Sequence, residues 1–396
     1  MVTFARSDTT MTLSEQITSA VRSVIGTNPA ALHEPLFEGD EEKLTRECVE
    51  TGWVSSVGKF VDAFERGLAE YTGASHAIAV TNGTAALHVA LVAAGVGRSD
   101  EVLVPALTFI GTVNPIAYCG ATPHFIDSLP NAPEIDIEAL EAYLDGILEL
   151  RGGSAFNKST GARLAAILPV HVFGHPVDMD HLADISERYK IPVIEDAAEA
   201  MGSTYKGRHA GTFGLLGTLS FNGNKIITTG GGGAVLTNDA DLARRIKHLS
   251  TTARVAHRME FIHDMVGYNY RMPNINAALG VAQLRNINNF VLRKRILADR
   301  YAAVIEKIPA VRLLREGNDT QSNYWLQTLI LDEEIADQRD QVLSALNDAG
   351  YGARPVWRLM HTLPMFESSP RMDLSGAEGM AARIVNIPSG PALVQL

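Results

Sequence analysis

The chain has 396 residues, 46% of them hydrophobic and 20% charged, a balance that excludes a disordered or fibrous protein and allows one large unit plus a smaller one. A net charge of −11 argues against a nucleic-acid backbone as partner, while a phosphate-bearing ligand held locally stays possible. Cys48 and Cys119 allow at most one bridge and lack metal-ligand spacing, no basic-then-apolar leader pattern opens the chain and no long apolar run follows, so a cytoplasmic protein without metal or membrane contact is expected.

Leu13, Ile17, Val21 and Ile25 recur at helical spacing, which predicts an amphipathic helix at the start of the chain. After a proline-punctuated entry, residues 40–51 read as a second helix and residues 52–58, GWVSSVG, as a loop. Trp53 offers a stacking face there and Ser55 and Ser56 offer hydroxyls, which suits a sugar or phosphate; a packed tryptophan beside a helix cap fits the same residues. Residues 57–71 continue as a helix. From His76 onward strand and helix patterns alternate, the mark of a largely parallel sheet with crossover helices. The strand at 76–80 runs into Asn82, Gly83 and Thr84 ahead of a helix. Such a pair presents amides and a hydroxyl at the positive end of a helix dipole, as an anion site or as an ordinary cap. Strands at 101–104 and 122–126 and helices at 110–119 and 136–148 follow. Phe109, just past a strand end, is placed either to lie over a planar ring or to pack in the core.

Residues 151–163 read as a surface loop or hairpin. A strand at 164–170 ends in His171 and His175, but Gly174 and Pro176 break any shared helix face, so no metal site is read there. A strand at 191–194 delivers Glu195 and Asp196 to its carboxyl end, where α/β sheets place ligands; an aspartate so placed can hold a pyridine nitrogen protonated or cap a helix. Lys225 follows, set between a short apolar strand signal (Leu219, Phe221) and a β-branched run, Ile226 to Thr229, ahead of four glycines, Gly230 to Gly233. Burial favours the neutral form of an amine, and a neutral amine condenses with an aldehyde. Pyridoxal phosphate is the aldehyde that suits this pattern, with the glycines allowing close backbone approach and Ser220 available to the phosphate. Taken alone, Lys225 fits a surface turn equally well. Asp196 for the ring nitrogen, Lys225 for the aldehyde, and Gly83, Thr84 and Ser220 for the phosphate together make up the handles this cofactor needs.

Residues 240–250 read as a helix, and 266–278 open another that runs to about residue 286, with Asn269 and Arg271 in a polar turn ahead of a proline. A long amphipathic helix at 290–307 leads to strand, helix and strand patterns at 323–331, 338–349 and 352–356, and a last strand at 383–389, which predict a small α+β domain. Arg354, Trp357, Arg358 and His361 share a loop there that suits a phosphate or nucleotide, or a snorkelling charged edge. The expected division is an N-terminal helical segment, 1–50, packing on the small domain, a large cofactor-binding domain, 51–289, and a small domain, 290–396.

Six stretches in order, GWVSSVGKFVDAFE, TNGTAAL, VPALTF, EDAA, SFNGNK and GYNYRM, resemble the motifs of the DegT/DnrJ/StrS sugar aminotransferases, over roughly residues 35–388. The resemblance implies a type I, aspartate aminotransferase-like α/β fold in which Lys225 bonds the aldehyde of pyridoxal 5′-phosphate and later shuttles protons. It implies that Asp196 pairs with the pyridine nitrogen, Phe109 stacks on the ring, and Gly83, Thr84 and Ser220 hold the phosphate. Asn269 would reach the phosphate of the partner subunit's cofactor, which makes the active unit a homodimer with its site at the interface. Glu199 stands where many members have glutamine near the ring hydroxyl. SFNGNKIITTGGGG and HVFGHPVDMD are most similar to the aminotransferases of legionaminic acid and bacillosamine synthesis. That similarity implies transfer from L-glutamate to C4 of a nucleotide-linked 4-keto-6-deoxy sugar, UDP-2-acetamido-2,6-dideoxy-hexos-4-ulose, for surface glycans such as lipopolysaccharide. Trp53, Ser55, Arg354 and His361 are the residues expected to meet that substrate. Dehydratases of the family carry histidine where Lys225 stands, which argues against that chemistry; a C3 aminotransferase and a cofactor-binding regulator without turnover are the alternatives.

Overall fold

The computed structural model describes residues 11–396; the first ten, on which the expectation of no leader segment rests, lie outside the described residues. Helix α1 (Leu13–Ile25) is opened by Thr12, whose hydroxyl accepts from the Glu15 amide while the Glu15 carboxylate accepts from the Thr12 amide at 2.8 Å, so two end donors are satisfied at once. Helices α2 (Glu41–Thr51) and α3 (Lys59–Thr72) lead into the alternating region. Its elements are β1 (His76–Val80), α4 (Gly83–Ala93), β2 (Glu101–Pro105), α5 (Ile110–Tyr118), β3 (Thr122–Ile126), α6 (Ile137–Ile147), β4 (Leu164–Ile167), α7 (Met179–Tyr189), β5 (Ile194–Asp196), β6 (Leu216–Ser220), β7 (Gly233–Thr237) and α8 (Ala240–Ser250).

These strands lie in the order β1-β7-β6-β5-β4-β2-β3. Strand β2 pairs in parallel with β3 and β4, and β5 with β6; parallel bridges from Ile167 to Val193 and from Val170 to Asp196 join the two groups. Only β7 runs against its neighbours, β6 and β1. Both faces of the sheet are covered, which is why β2 reads EVLVP with every residue buried. Along it Val102 and Val104 pack with Phe64, Leu87 and Ile246 of α3, α4 and α8, while Leu103 faces Leu140, Leu144 and Leu182 of α6 and α7.

The chain then enters one helix of 32 residues, α9 (Asn274–Ile305), about 48 Å long at 1.5 Å per residue. Two helices meeting between residues 286 and 290 were expected, because the run Asn286-Ile287-Asn288-Asn289 has poor helix propensity. Tertiary packing overrides that local weakness: Ile287 and Phe290 are buried, and the Tyr71 hydroxyl donates to Asn288 Oδ1 at 3.1 Å. The second half of α9 carries a separate core. Strands β8 (Val311–Leu313), β9 (Gln327–Leu331) and β10 (Ile384–Ile387) form an antiparallel sheet in that order, with α10 (Arg339–Asp348) and α11 (Ser375–Arg383) beside it. Leu297, Tyr301, Leu329, Leu331 and Val385 share this core with Ile17 and Val21 of α1. The strand expected at 352–356 is reduced to a single bridge between Arg354 and Asn386, and the β-branched run after Lys225 lies in a turn between β6 and β7 instead of extending a strand.

Buried imidazoles mark where the two cores meet. His175 lies edge-on to Tyr324 at 5.3 Å, with neither ring nitrogen hydrogen-bonded among the described residues. Burial pushes its pKa down to about 4. A histidine held below its unfolded value of about 6.5 supports folding fully above pH 6.5 and loses that support as pH falls toward 4, because the unfolded chain takes up the proton first. Between pH 7.5 and pH 5 this one group should cost the fold about 2 kcal/mol. Urea unfolding of a His175→Phe variant is therefore expected to show a shallower loss of stability over that range than the parent protein; equal slopes would remove His175 as the cause.

Candidate active site

Three strand ends and one helix start converge on a cavity of about 300 Å³, at the lower end of the range for small-molecule sites. At its first corner β1 gives way to α4. The Asn82 side chain caps the helix by accepting from the Ala85 amide at 2.8 Å, and its carbonyl accepts from Ala86. The amides of Gly83 and Thr84 are thereby left without a partner among the described residues, at the positive helix end and facing the cavity. Ser220, the last residue of β6, stands against them; a Cβ at Gly83 would sit 2.8 Å from Ser220 Cβ, so only glycine lets helix and strand approach this closely. The glycine run after Lys225 works from behind this corner and does not line the cavity. A Cβ at Gly233 would fall 2.5 Å from the Asn82 carbonyl, so the run lets β7 back the helix start, where close approach to a cofactor was expected.

At the second corner β5 ends in Asp196. Its Oδ2 accepts from the Thr112 hydroxyl at 2.8 Å and its Oδ1 from the Ala198 amide at 3.0 Å; Thr112 is bonded in turn to Thr108. Burial holds this carboxyl above its usual range, with the Thr112 bond working against that shift. Asp196 makes no ion pair among the described residues, so a protonated ring nitrogen is the kind of group that would meet its charge.

The third corner carries Lys225. Its amide donates to the Asn222 carbonyl in a tight turn, and its ammonium donates to Glu199 Oε1 at 3.3 Å while lying 3.8 Å from the centre of the Trp325 indole. Glu199 accepts a second bond from the Phe173 amide at 2.9 Å, and burial raises its carboxyl, opposed by Lys225. The Lys225 side chain is only 13% exposed. Phe109, half exposed, closes the cavity toward solvent with Trp357, 6.0 Å between ring centres.

The cavity thus gathers Gly83, Thr84, Phe109, Asp196, Glu199, Ser220 and Lys225. Two open amides with a hydroxyl for an anion, a buried acid for a ring nitrogen and an amine beside them fit pyridoxal phosphate group by group. The other predicted residues lie elsewhere. Trp53, 58% exposed, lines a separate surface cavity with Lys59 and Lys247, and Ser55 is an exposed neighbour whose carbonyl accepts from the Asn274 amide. Arg354 lines an adjoining cavity, and His361 is buried against Glu378 at 3.2 Å, lining neither. Asn269 is exposed; its backbone pairs with Thr251 in a single antiparallel bridge, and its side-chain oxygen accepts from Arg271 at 3.4 Å. Sequence reasoning did not single out Thr112 or Trp325. For Trp325 the signal was the polar-aromatic run Ser322-Asn323-Tyr324-Trp325, read as strand although β9 starts only at Gln327.

Residues 36–395, nearly the full chain, match the DegT/DnrJ/EryC1/StrS aminotransferase family. The protein belongs to that family. It is 39% identical to the GDP-perosamine synthase of Caulobacter vibrioides over 365 residues, 91% of this chain and 93% of that one, and equally similar to the GDP-perosamine synthase of Escherichia coli O157:H7 over 362 residues, 91% and 93%. Its fold is similar to that of the aminotransferase TlmJ from Streptoalloteichus hindustanus, with a TM-score of 0.83 and 27% identity over 93% of this chain and 95% of that one. This family member is a pyridoxal-phosphate-dependent sugar aminotransferase, and pyridoxal 5′-phosphate is its cofactor.

The crowding at Gly83 gives a test of the phosphate corner. A Gly83→Ala substitution forces α4 and Ser220 apart, and a titration of the apoenzyme with pyridoxal phosphate is expected to show at least a tenfold weaker affinity, about 1.4 kcal/mol. An unchanged affinity would move the phosphate away from this corner.

Proposed function

We propose that the enzyme transfers the amino group of L-glutamate to C4 of a nucleotide-linked 4-keto-6-deoxy sugar and releases 2-oxoglutarate. The observation that carries this reading is the Lys225 ammonium, held between Glu199 and the Trp325 ring in the same cavity as Asp196. Bound there, pyridoxal phosphate supplies an aldehyde that carries the amino group and a pyridinium ring that takes up electrons from the breaking C–H bond. Asp196 keeps the ring nitrogen protonated. Lys225 would take the proton from the α-carbon of glutamate and deliver one to C4 of the sugar. Glu199 steadies the lysine between these steps, and Phe109 covers the ring face. The amides of Gly83 and Thr84 with Ser220 anchor the phosphate.

The nucleotide is the finer question. The motif resemblance favours UDP-2-acetamido-2,6-dideoxy-hexos-4-ulose, whereas the 39% identical relatives are named for a GDP-linked product, and perosamine is a 4-amino-4,6-dideoxyhexose. We take the GDP-linked 4-keto-6-deoxyhexose as first substrate. The active unit is proposed to be a homodimer in which Asn269 reaches the partner subunit's cofactor phosphate. The exposed Met259, Phe261, Met265 and Val266, close to it in sequence, support a covered face on that side.

The test is direct. The loaded enzyme should change its visible absorbance on addition of L-glutamate, a Lys225→Ala variant should not, and mass spectrometry should find the keto sugar's oxygen replaced by an amino group. NMR of the product places the nitrogen: at C3 it would overturn the C4 reading, and a spectrum indifferent to glutamate would favour a binder without turnover.

A further inference from the structure

A second cavity, of about 360 Å³, adjoins the cofactor cavity and shares Asn224, Trp325 and Trp357 with it. Its other walls include His33, Phe173, Arg354 and Asn386, with no carboxylate among them. His33 comes from the segment ahead of α2, far in sequence from every residue of the cofactor site. Its imidazole is 9% exposed, and neither ring nitrogen has a hydrogen-bond partner among the described residues. Such a group is costly to leave unbonded, so its place at a cavity wall asks for a ligand.

The chemistry of that ligand follows from the walls. Burial, with Lys294 and Lys225 nearby, drives the His33 pKa well down, so the ring is neutral and offers one donor and one acceptor. A hydroxyl can answer either nitrogen, as donor or as acceptor, whereas a carboxylate can answer only the N–H. The indoles of Trp325 and Trp357 offer flat apolar faces to the C–H face of a sugar ring. Among the described residues Arg354 is the only charged side chain lining the chamber, and it is exposed at its edge, where a diphosphate would meet it.

Building on the proposed use of a nucleotide sugar, we propose that this chamber seats the sugar ring, with His33 reading a ring hydroxyl and Arg354 holding the diphosphate. His33 is then a specificity residue that discriminates by hydroxyl pattern. A hexose with its matching hydroxyl removed or capped leaves a buried nitrogen unbonded and is rejected.

Calorimetric titration of the loaded, full-length enzyme with GDP, GDP-mannose and UDP-N-acetylglucosamine separates the parts. The parent protein is expected to bind GDP-mannose more tightly than bare GDP. His33→Phe should reduce that sugar-dependent gain about tenfold and raise KM for the keto sugar without moving KM for L-glutamate, and His33→Gln, which keeps a donor and an acceptor, should recover most of it. Arg354→Gln should weaken bare nucleotide and sugar nucleotide alike, about tenfold. An undiminished gain in both His33→Phe and His33→Ala would overturn the assignment while the aminotransferase reading stands. A raised KM for glutamate with sugar affinity intact would put the amino donor's carboxylate in the chamber instead. Failure of the parent protein to bind any of the three probes would sink the nucleotide-sugar reading, and this inference with it.

Discussion

The site is governed by the difficulty of burying two carboxylates beside one amine. Asp196 and Glu199 are almost fully withdrawn from water, and burial pushes both carboxyls toward the neutral form. The fold meets this with directed donors: the Thr112 hydroxyl and Ala198 amide for Asp196, and the Phe173 amide and Lys225 for Glu199. Thr112, Phe173 and Lys225 come from three different connections between strands, so the acids tie α5, the segment before α7, and the β5 and β6 ends to a single point. In the proposed role a cationic ring nitrogen would lie on Asp196 and complete the arrangement, which would make cofactor binding and the settling of this charge cluster one event.

Much of this was legible in the sequence, for identifiable reasons. Strands β1 and β3, short runs buried on both faces, and helix α8, buried along one stripe, fall where strand–helix alternation and helical spacing place them. Gly83, Asp196, Ser220 and Lys225 stand out because strand ends in an α/β sheet are where polar residues have chemical reasons to be. What escaped depends on contacts distant in sequence. Trp325 covers Lys225 from 100 residues away, and Thr112 bonds Asp196 across 84, so neither has a local signature. The continuity of α9 escaped for the same reason: its asparagine-rich middle is stabilised by neighbours that its own residues do not announce. Periodicity reports what a segment does for itself, and these features belong to what other segments do for it.

The second core reaches the site through a short connector around Asn323 to Trp325. Asn323 donates to the carbonyls of Glu199 and Met201, and the buried amine of Lys294 on α9 donates to the Trp325 carbonyl at 3.0 Å and to that of Ser389. Burial drives the Lys294 pKa well down, and its two bonds make the amine a peg between two backbone segments. The indole over Lys225 is thus positioned by α9 and by the strand ends of the second core. A shift of the second core would reach the Lys225 amine through Trp325, itself a wall of the cavity.

The chain contains only three tryptophans, and two of them, Trp325 and Trp357, line the cofactor cavity, while the third, Trp53, is largely exposed. The enzyme therefore carries its own optical gauge. Ultraviolet emission from the two enclosed indoles falls on whatever chromophore occupies the cavity, by energy transfer over a few ångströms, while Trp53 contributes a redder, solvent-quenched background. Occupancy, and the state of the group that occupies it, can be followed by the protein's native fluorescence with no label attached.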